Sequence, residues 1–483
     1  MCSKMTDARP NIVFLFTDQH AASFTGCYGD EVADTPNLDR LASNGALFEN
    51  AHCPSPLCIP SRMAMMAGNY PHDVGVYTNR DYLKSDTPTL AHALGAAGYN
   101  TSLIGRMHFI GPDQLHGYQT RRVGDISVNW PGSPLIDYGE LNKARGTKGP
   151  TLQYAGFGET TVHHYDRSVT QGALDYIEEL AKDGNDQPFF ITVGWYGPHP
   201  PFIAFEEDYK FFEGRVPPPS LSPPVSDEHS YLKSWRDQGE FHDIPEDHIM
   251  RARTAYYANL RMIDRQIGKV LDSLAHKGLL NNTLIVYASD HGEQLGERGF
   301  WQKNTFYDHS VKVPLIASWP GQIGAGQRRS EIVNLVDLSA SFIAAGGATP
   351  LPHGKGQSFL DLLNGHSSKW QNLTLSEFYG GLVSIETSAI ANRLVRNERF
   401  KYVYYHGHDA QLFDMIEDPD ETNDLIASLD HQHIVAQMNE VALKDWNPAD
   451  IIEQIARKAE DVNILKRWTQ TVNPSEDHRW ING

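Results

Sequence analysis

Asn11-Ile12-Val13-Phe14-Leu15-Phe16-Thr17-Asp18-Gln19 is an apolar run that stops abruptly at three polar residues. A half-solvated strand alternates apolar and polar positions. A strand without alternation is covered on both faces, as in a parallel sheet flanked by helices. Such sheets place their sites at the carboxyl ends of the strands, which singles out Asp18 and Gln19. Thr283-Leu284-Ile285-Val286-Tyr287-Ala288 repeats the pattern and ends in Ser289-Asp290-His291-Gly292.

Helices separate these runs. Thr35-Pro36-Asn37-Leu38-Asp39-Arg40-Leu41 reads as an N-cap, a proline at the first helical position and a helix closed near Gly45. A helix from about Thr89 to Ala97 leads to a strand from Thr101 to Ile104, and one from about Ser168 to Leu180 leads to Phe189 through Trp195. A long amphipathic helix from roughly Asp247 to Leu274 precedes the strand at 283. This alternation predicts an α/β sandwich around a large mixed, mostly parallel sheet flanked by helices. The Gly-, Pro- and aromatic-rich run from about Gly117 to Thr160 and the segment Pro217 to Pro224 interrupt it, as surface insertions or as walls of a substrate pocket. From about residue 370 the pattern changes. Arg393 to Tyr405 and Gln411-Leu412-Phe413-Asp414 read as antiparallel strands, followed by a helical tail rich in Trp and charge. We expect a catalytic domain over 1–369 and a smaller C-terminal α+β domain with an antiparallel sheet over 370–483.

The formal charge of −19 argues against nucleic acid or an anionic membrane surface as a partner, since both require clustered Lys and Arg. An anionic substrate then needs a local cationic pocket. Cys2, Cys27, Cys53 and Cys58 lack a zinc-finger spacing and suggest no disulfide framework. With no apolar leader before the first strand and no membrane-spanning run, we expect a cytoplasmic protein.

Cys58 lies in Pro56-Leu57-Cys58-Ile59-Pro60-Ser61-Arg62-Met63-Ala64-Met65-Met66-Ala67-Gly68, where a proline-bounded turn runs into a helix-compatible segment. Position 58 therefore falls near a helix N-terminus, where free backbone N–H groups favour an anion. Of 22 histidines, His108 and His199 stand at the ends of predicted strands.

Together Thr17-Asp18-Gln19, Thr35-Pro36-Asn37-Leu38-Asp39, Cys58-Ile59-Pro60-Ser61-Arg62, Gly105-Arg106-Met107-His108, Gly197-Pro198-His199-Pro200, Ser289-Asp290-His291-Gly292 and Lys303 give the chain a family look. It resembles the formylglycine-dependent sulfatases of the alkaline-phosphatase-like superfamily, with these motifs in family order over nearly its whole length. Gly105 through Tyr118 is most similar to the choline-sulfatase branch, as are Gln411-Leu412-Phe413-Asp414 and Asp418-Pro419. The resemblance implies conversion of Cys58 to formylglycine by a maturation enzyme that reads the CxPSR stretch. It also implies a calcium ion, or magnesium, bound by Asp18, Gln19, Asp290, His291 and the modified Cys58. Asn is frequent at the position of His291, and lysine at that of Arg106.

The implied chemistry starts from a hydrated formylglycine. One hydroxyl, activated by the metal and Arg62, attacks sulfur and forms a sulfoenzyme; His199 protonates the leaving alcohol, with Lys303 neutralising charge. His108 takes the proton of the second hydroxyl so that sulfate is expelled, and Arg106 contacts the diol or the sulfate. The expected substrate is a small sulfate ester, either choline sulfate or a sulfated sugar. Choline would need aromatic faces and a carboxylate, a sugar His, Arg, Asp and Asn around its hydroxyls; Asn129, Trp130, Tyr138 and Tyr154 could serve either. Alternatives are a phosphonate monoester or phosphodiester hydrolase with the same nucleophile, and a binding protein in which Cys58 stays a thiol. A homo-oligomer is compatible with the sequence.

Overall fold

The computed structural model describes residues 9–134, 137, 139–182, 187–224, 228–365, 369–380 and 390–480. Its centre is an eight-stranded sheet of β1 (Asn11–Asp18), β2 (Ala46–His52), β3 (Asn100–Gly105), β4 (Thr120–Val123), β5 (Phe189–Pro198), β6 (Thr283–Ser289), β7 (Leu315–Ser318) and β8 (Gln327–Asn334). The spatial order is β8-β2-β7-β6-β1-β5-β3-β4. Only β7 runs antiparallel to its neighbours β2 and β6. The mixed, mostly parallel α/β sheet expected from the sequence is thus present.

Alternate residues of β1 feed two apolar layers. Phe14 and Phe16 join the core that holds Ile59, Met63 and Met66 of α2 (Cys58–Ala67) and Phe342 of α3 (Val336–Ala345). Val13 and Leu15 face Tyr165, Val169 and Ala173 of α4 (Thr161–Lys182) and Ile263 and Ile267 of α5 (Glu246–His276). A strand buried on both faces cannot alternate, which explains its apolar run. Helix α4 starts seven residues earlier than expected from Ser168, because Val162, His163, Tyr165 and Asp166 are buried and continue its apolar face.

A second sheet is antiparallel, in the order β9 (Leu373–Phe378), β10 (Asn392–Asn397), β11 (Phe400–Tyr405), β12 (Gln411–Asp414). It is fastened to the first. The side-chain N–H of Asn334 donates to Thr374 Oγ1 at 2.7 Å, and Trp370 Nε1 donates to Ile332 O at 2.9 Å. Lys401 of β11 is wholly buried and donates to Glu421 Oε1 (2.6 Å), Phe306 O (3.1 Å) and Asp308. Helices α6 (Gln432–Leu443) and α7 (Pro448–Val472) close the chain. Among the described residues no helix is long and apolar enough to cross a membrane.

Candidate active site

β1 and β6 pair in parallel with Thr17 opposite Ser289. That register sets Asp18 and Asp290 side by side at the carboxyl edge of the sheet. Cys58 is the first residue of α2 and is buried. The Ile59 N–H, one of the free donors of that helix end, is accepted by Asn79 Oδ1 at 2.9 Å, and Ser61 Oγ donates to the carbonyl of Asp290 at 2.6 Å. Ligand atoms of Asp18, Cys58, Asp290 and His291 consequently lie within 4.8 Å of one another, all buried.

His291 completes this group in a defined state. Its Nδ1 is 3.0 Å from the carbonyl of Gly292, which can only accept, so the proton sits on Nδ1 and the Nε2 lone pair faces Cys58 Sγ at 3.1 Å. Burial, opposed by Asp290 and aided by Lys303, pulls the imidazole down to about 4, so it is neutral at neutral pH. Two carboxylates, a neutral imidazole nitrogen and the side chain at 58 fit a divalent cation, which needs deprotonated donors rich in hard oxygens. Gln19 stands beside this set with its side chain engaged. Its amide oxygen accepts from Lys303, and its NH2 donates to Glu293 and to Gln302 Oε1 (3.0 Å). Its backbone N–H donates to Asp290 Oδ1 at 3.0 Å.

Adjacent buried carboxylates repel unless cations intervene. Arg62 Nε lies 2.8 Å from Asp290 Oδ2 and its Nη2 3.1 Å from Asp18 Oδ2; Arg106 Nε lies 2.6 Å from Asp18 Oδ2. Burial alone would raise Asp18, but the guanidinium groups of Arg106 and Arg62 hold it well below the usual carboxylate range. Arg62 is thus a clamp behind the carboxylates.

Arg106 is engaged through all three of its nitrogens. Nη1 donates to Asp125 Oδ1 (3.1 Å) and Ser127 Oγ (2.7 Å), Nη2 to His108 Nδ1 (2.8 Å), and the guanidinium lies 4.7 Å from the Tyr196 ring centroid. The preceding Gly105 has φ +89°, and a Cβ there would meet Gly194 O at 2.4 Å, so the turn that aims Arg106 requires glycine. A guanidinium has only hydrogens to offer, so His108 Nδ1 must accept and the proton of the neutral ring sits on Nε2. Burial and Arg106 hold His108 well below its ordinary value. In this arrangement His108 presents an N–H at Nε2. Its backbone N–H donates to Asp125 Oδ2 at 2.8 Å, with φ at 60°.

His199 has the opposite polarity. Its Nδ1 donates to Pro200 O at 2.8 Å, which leaves the Nε2 lone pair free; burial and Lys303 push the ring well below its ordinary value. Asp166 of α4 sets the preceding turn by accepting from the N–H groups of Tyr196 (2.7 Å) and Gly197 (3.0 Å). Lys303 is buried beside Gln19. Burial and Asp18 push the Cys58 thiol up to about 12, so the unconverted side chain is no thiolate.

Asp125, Ser127, Asn79, Tyr196, Asp166 and Glu293 were not singled out in the sequence. Each acts through a contact that depends on the fold and lies outside the motifs, although Tyr196 directly precedes Gly197 and Glu293 directly follows Gly292. Of the proposed substrate contacts, Trp130 is committed elsewhere: Nε1 donates to Ser475 O (2.8 Å) and the ring packs on Trp468 at 5.5 Å. Tyr154 is exposed, Asn129 is buried, and Tyr138 lies outside the described residues, as does Cys2.

The comparisons agree with this geometry. The sulfatase family profile matches residues 10–348, and that of the N-sulphoglucosamine sulphohydrolase C-terminal region matches 296–446. A choline-sulfatase of Rhizobium meliloti (strain 1021) is 34% identical over 446 residues, covering 87% of this chain and 83% of the relative. An arylsulfatase of Clostridium perfringens is 26% identical over 470 residues, covering 90% and 94%. The phosphonate monoester hydrolase of Agrobacterium radiobacter superposes with a TM-score of 0.74 at 23% identity, over 90% of this chain and 95% of that one, which bears on the fold alone. The chain belongs to the sulfatase family, and its reaction is the hydrolysis of a sulfuric ester.

Proposed function

We propose that the protein hydrolyses the sulfate ester of a small organic or carbohydrate substrate, choline sulfate or a sulfated sugar, with position 58 acting as formylglycine after conversion by a maturation enzyme. The observation that carries this reading is the convergence of Asp18, Cys58, Asp290 and His291 at the start of α2, ringed by Arg62, Arg106 and Lys303. A divalent cation there, calcium or magnesium, would supply Lewis-acid polarisation of the sulfate. The diol of hydrated formylglycine would supply one hydroxyl, its proton lost to solvent, to attack sulfur as the S–O bond to the alcohol breaks, and a second whose deprotonation re-forms the aldehyde as the C–O bond to sulfate breaks; water then restores the diol.

The chain's own residues do the rest. Arg62 and Arg106 keep Asp18 ionised among other charges. His108 donates from Nε2 to a sulfate oxygen, which its bond from Arg106 enforces. His199, once protonated in the field of the bound anion, gives its Nε2 proton to the leaving alcohol and then takes one back from the second hydroxyl. Lys303 offsets the charge that develops. The choline-sulfatase relative supports a small cationic alcohol, whereas the N-sulphoglucosamine sulphohydrolase match supports a sugar.

The test is sulfate release by enzyme coexpressed with a maturation enzyme and loaded with calcium, from choline sulfate, sulfated monosaccharides and an aryl sulfate, against a phosphonate monoester and a phosphate diester. Sulfate esters are expected to give the highest kcat/KM; preference for either phosphorus ester would replace this reading. His199→Ala should slow alcohols of high pKa far more than nitrophenolate, which leaves unaided. Equal slowing would remove His199 from the proton transfer.

A further inference from the structure

The last described residues of the chain lie against the back of the site. Strand β4 is an edge strand, yet the backbone that follows it is paired: the Asp125 N–H donates to His478 O at 3.0 Å, and the Trp480 N–H donates to Asp125 O at 2.8 Å. The two segments form a parallel bridge centred on Asp125 and Arg479. A Cβ on Gly124 would lie 2.2 Å from His478 O, so glycine is what admits the tail. Trp480 packs edge-on against Tyr165 at 5.4 Å, and Tyr165 in turn donates to Gly124 O at 3.1 Å. Trp130, bonded to Ser475 O and packed on Trp468, fixes the start of the same segment.

The side chain of the bridged residue faces the other way. Asp125 receives Arg106 Nη1 and the N–H of Ser127 (2.9 Å) on Oδ1, and the backbone N–H of His108 on Oδ2. It is buried, with Arg121 at 3.5 Å as its further cationic neighbour. Its backbone is therefore held by the tail while its carboxylate holds the arginine that fixes the tautomer of His108.

We propose that residues 475–480 are a brace that positions Arg106 and His108 through Asp125, and that the site is incomplete until this segment has docked. A displaced Asp125 would let Arg106 turn away from His108 Nδ1 and free the ring to take the other tautomer. Asp125 and the tail are positioning elements, and the catalytic part of this inference rests on the roles proposed above for Arg106 and His108.

The experiment uses the converted, calcium-loaded enzyme in three forms: a chain ending at Asn473, full-length Trp480→Ala, and Asp125→Asn. Hydrogen exchange of the peptide that contains Arg106 to His108 reads the brace without reference to turnover. Exchange should rise in all three forms, while that of the β6 peptide stays as in the wild type. Turnover should fall about 10- to 100-fold, as expected when a catalytic group moves by about 1 Å, mostly in kcat. Removing the tail should cost nothing further in the Asp125→Asn background. Unchanged exchange at 106–108 in both the shortened chain and Trp480→Ala would overturn the brace, and so would losses that multiply in the double variant. A fully active His108→Ala enzyme would instead overturn the catalytic reading, with the exchange result still deciding the brace.

Discussion

Among the described residues, the charges gathered around Lys401 and those gathered around Cys58 make a contrast, and the second group is the one built for chemistry. Around Lys401, Asp308 and Glu421 the ammonium is wrapped by two carboxylates and a carbonyl, and it joins β11 to the loop behind Lys303. Around Cys58, cations bind the rear oxygens of Asp18 and Asp290, while the ligand atoms of four residues converge on one another. Both clusters bear the desolvation cost of buried ions. The first offsets it by mutual satisfaction. The second leaves like-charged and neutral donors facing one point, an arrangement stable only with something bound there or with clamps behind it. Burial of charge is thus a poor marker of function, whereas convergence of ligand atoms on one point is a good one.

The contrast can be broken at either cluster. The largest effect is expected from Cys58→Ala, which removes the proposed nucleophile: turnover by sulfate release should drop on the order of 10^4-fold or more, with the urea unfolding midpoint near that of the wild type. Retained activity would mean that the converging cluster is not the reacting centre. Next, Lys401→Met should leave Asp308 and Glu421 buried without their cation and lower stability by about 3–5 kcal/mol, read by urea unfolding, with turnover per folded molecule close to normal. A loss of turnover without a loss of stability would erase the distinction between the clusters.

Arg106→Lys should reduce kcat by about 10- to 100-fold. One ammonium cannot span Asp18, Asp125, Ser127 and His108 as the guanidinium fork does. Metal content, measured by elemental analysis, should stay at the wild-type level because Arg62 still clamps both carboxylates.

The smallest effect concerns His52, beside Asp308. Burial, against the pull of Asp308 and with the push of Lys401, lowers it to about 3. The unfolded chain binds this proton near pH 6.5 and the folded chain does not, so its contribution is complete above about pH 6.5 and is lost as pH falls toward about 3. The slope is at most about 1.4 kcal/mol per pH unit. Comparing unfolding at pH 7 and pH 5, His52→Gln should lose less stability on acidification than the wild type. An equal loss in both would show that other groups carry the dependence.

The sequence made the strand ends legible because Ile12–Phe16 and Leu284–Ala288 are apolar without alternation and stop at carboxylates. It also marked Cys58, Arg62, His108 and His199, which sit in motifs. What it could not convey was orientation. Gln19 and Asp18 are neighbours, but a φ of 71° at Gln19 sends the two side chains to different partners. No motif conveys that Arg106 occupies the Nδ1 of His108. Asp125 has no mark at all, since its importance lies in residues 17 to 19 positions upstream and in the far C-terminus.

The pairing of β1 with β6 also sets a clock. Asp290 and His291 are made long after Cys58, so no ribosome-bound chain shorter than about 290 residues can close the pocket. At roughly 5–20 residues per second, the stretch between Cys58 and Asp290, roughly 230 residues, takes on the order of 10–50 s to synthesise. During that interval the cysteine, buried in the finished protein, still lacks Asp290 and His291 against it.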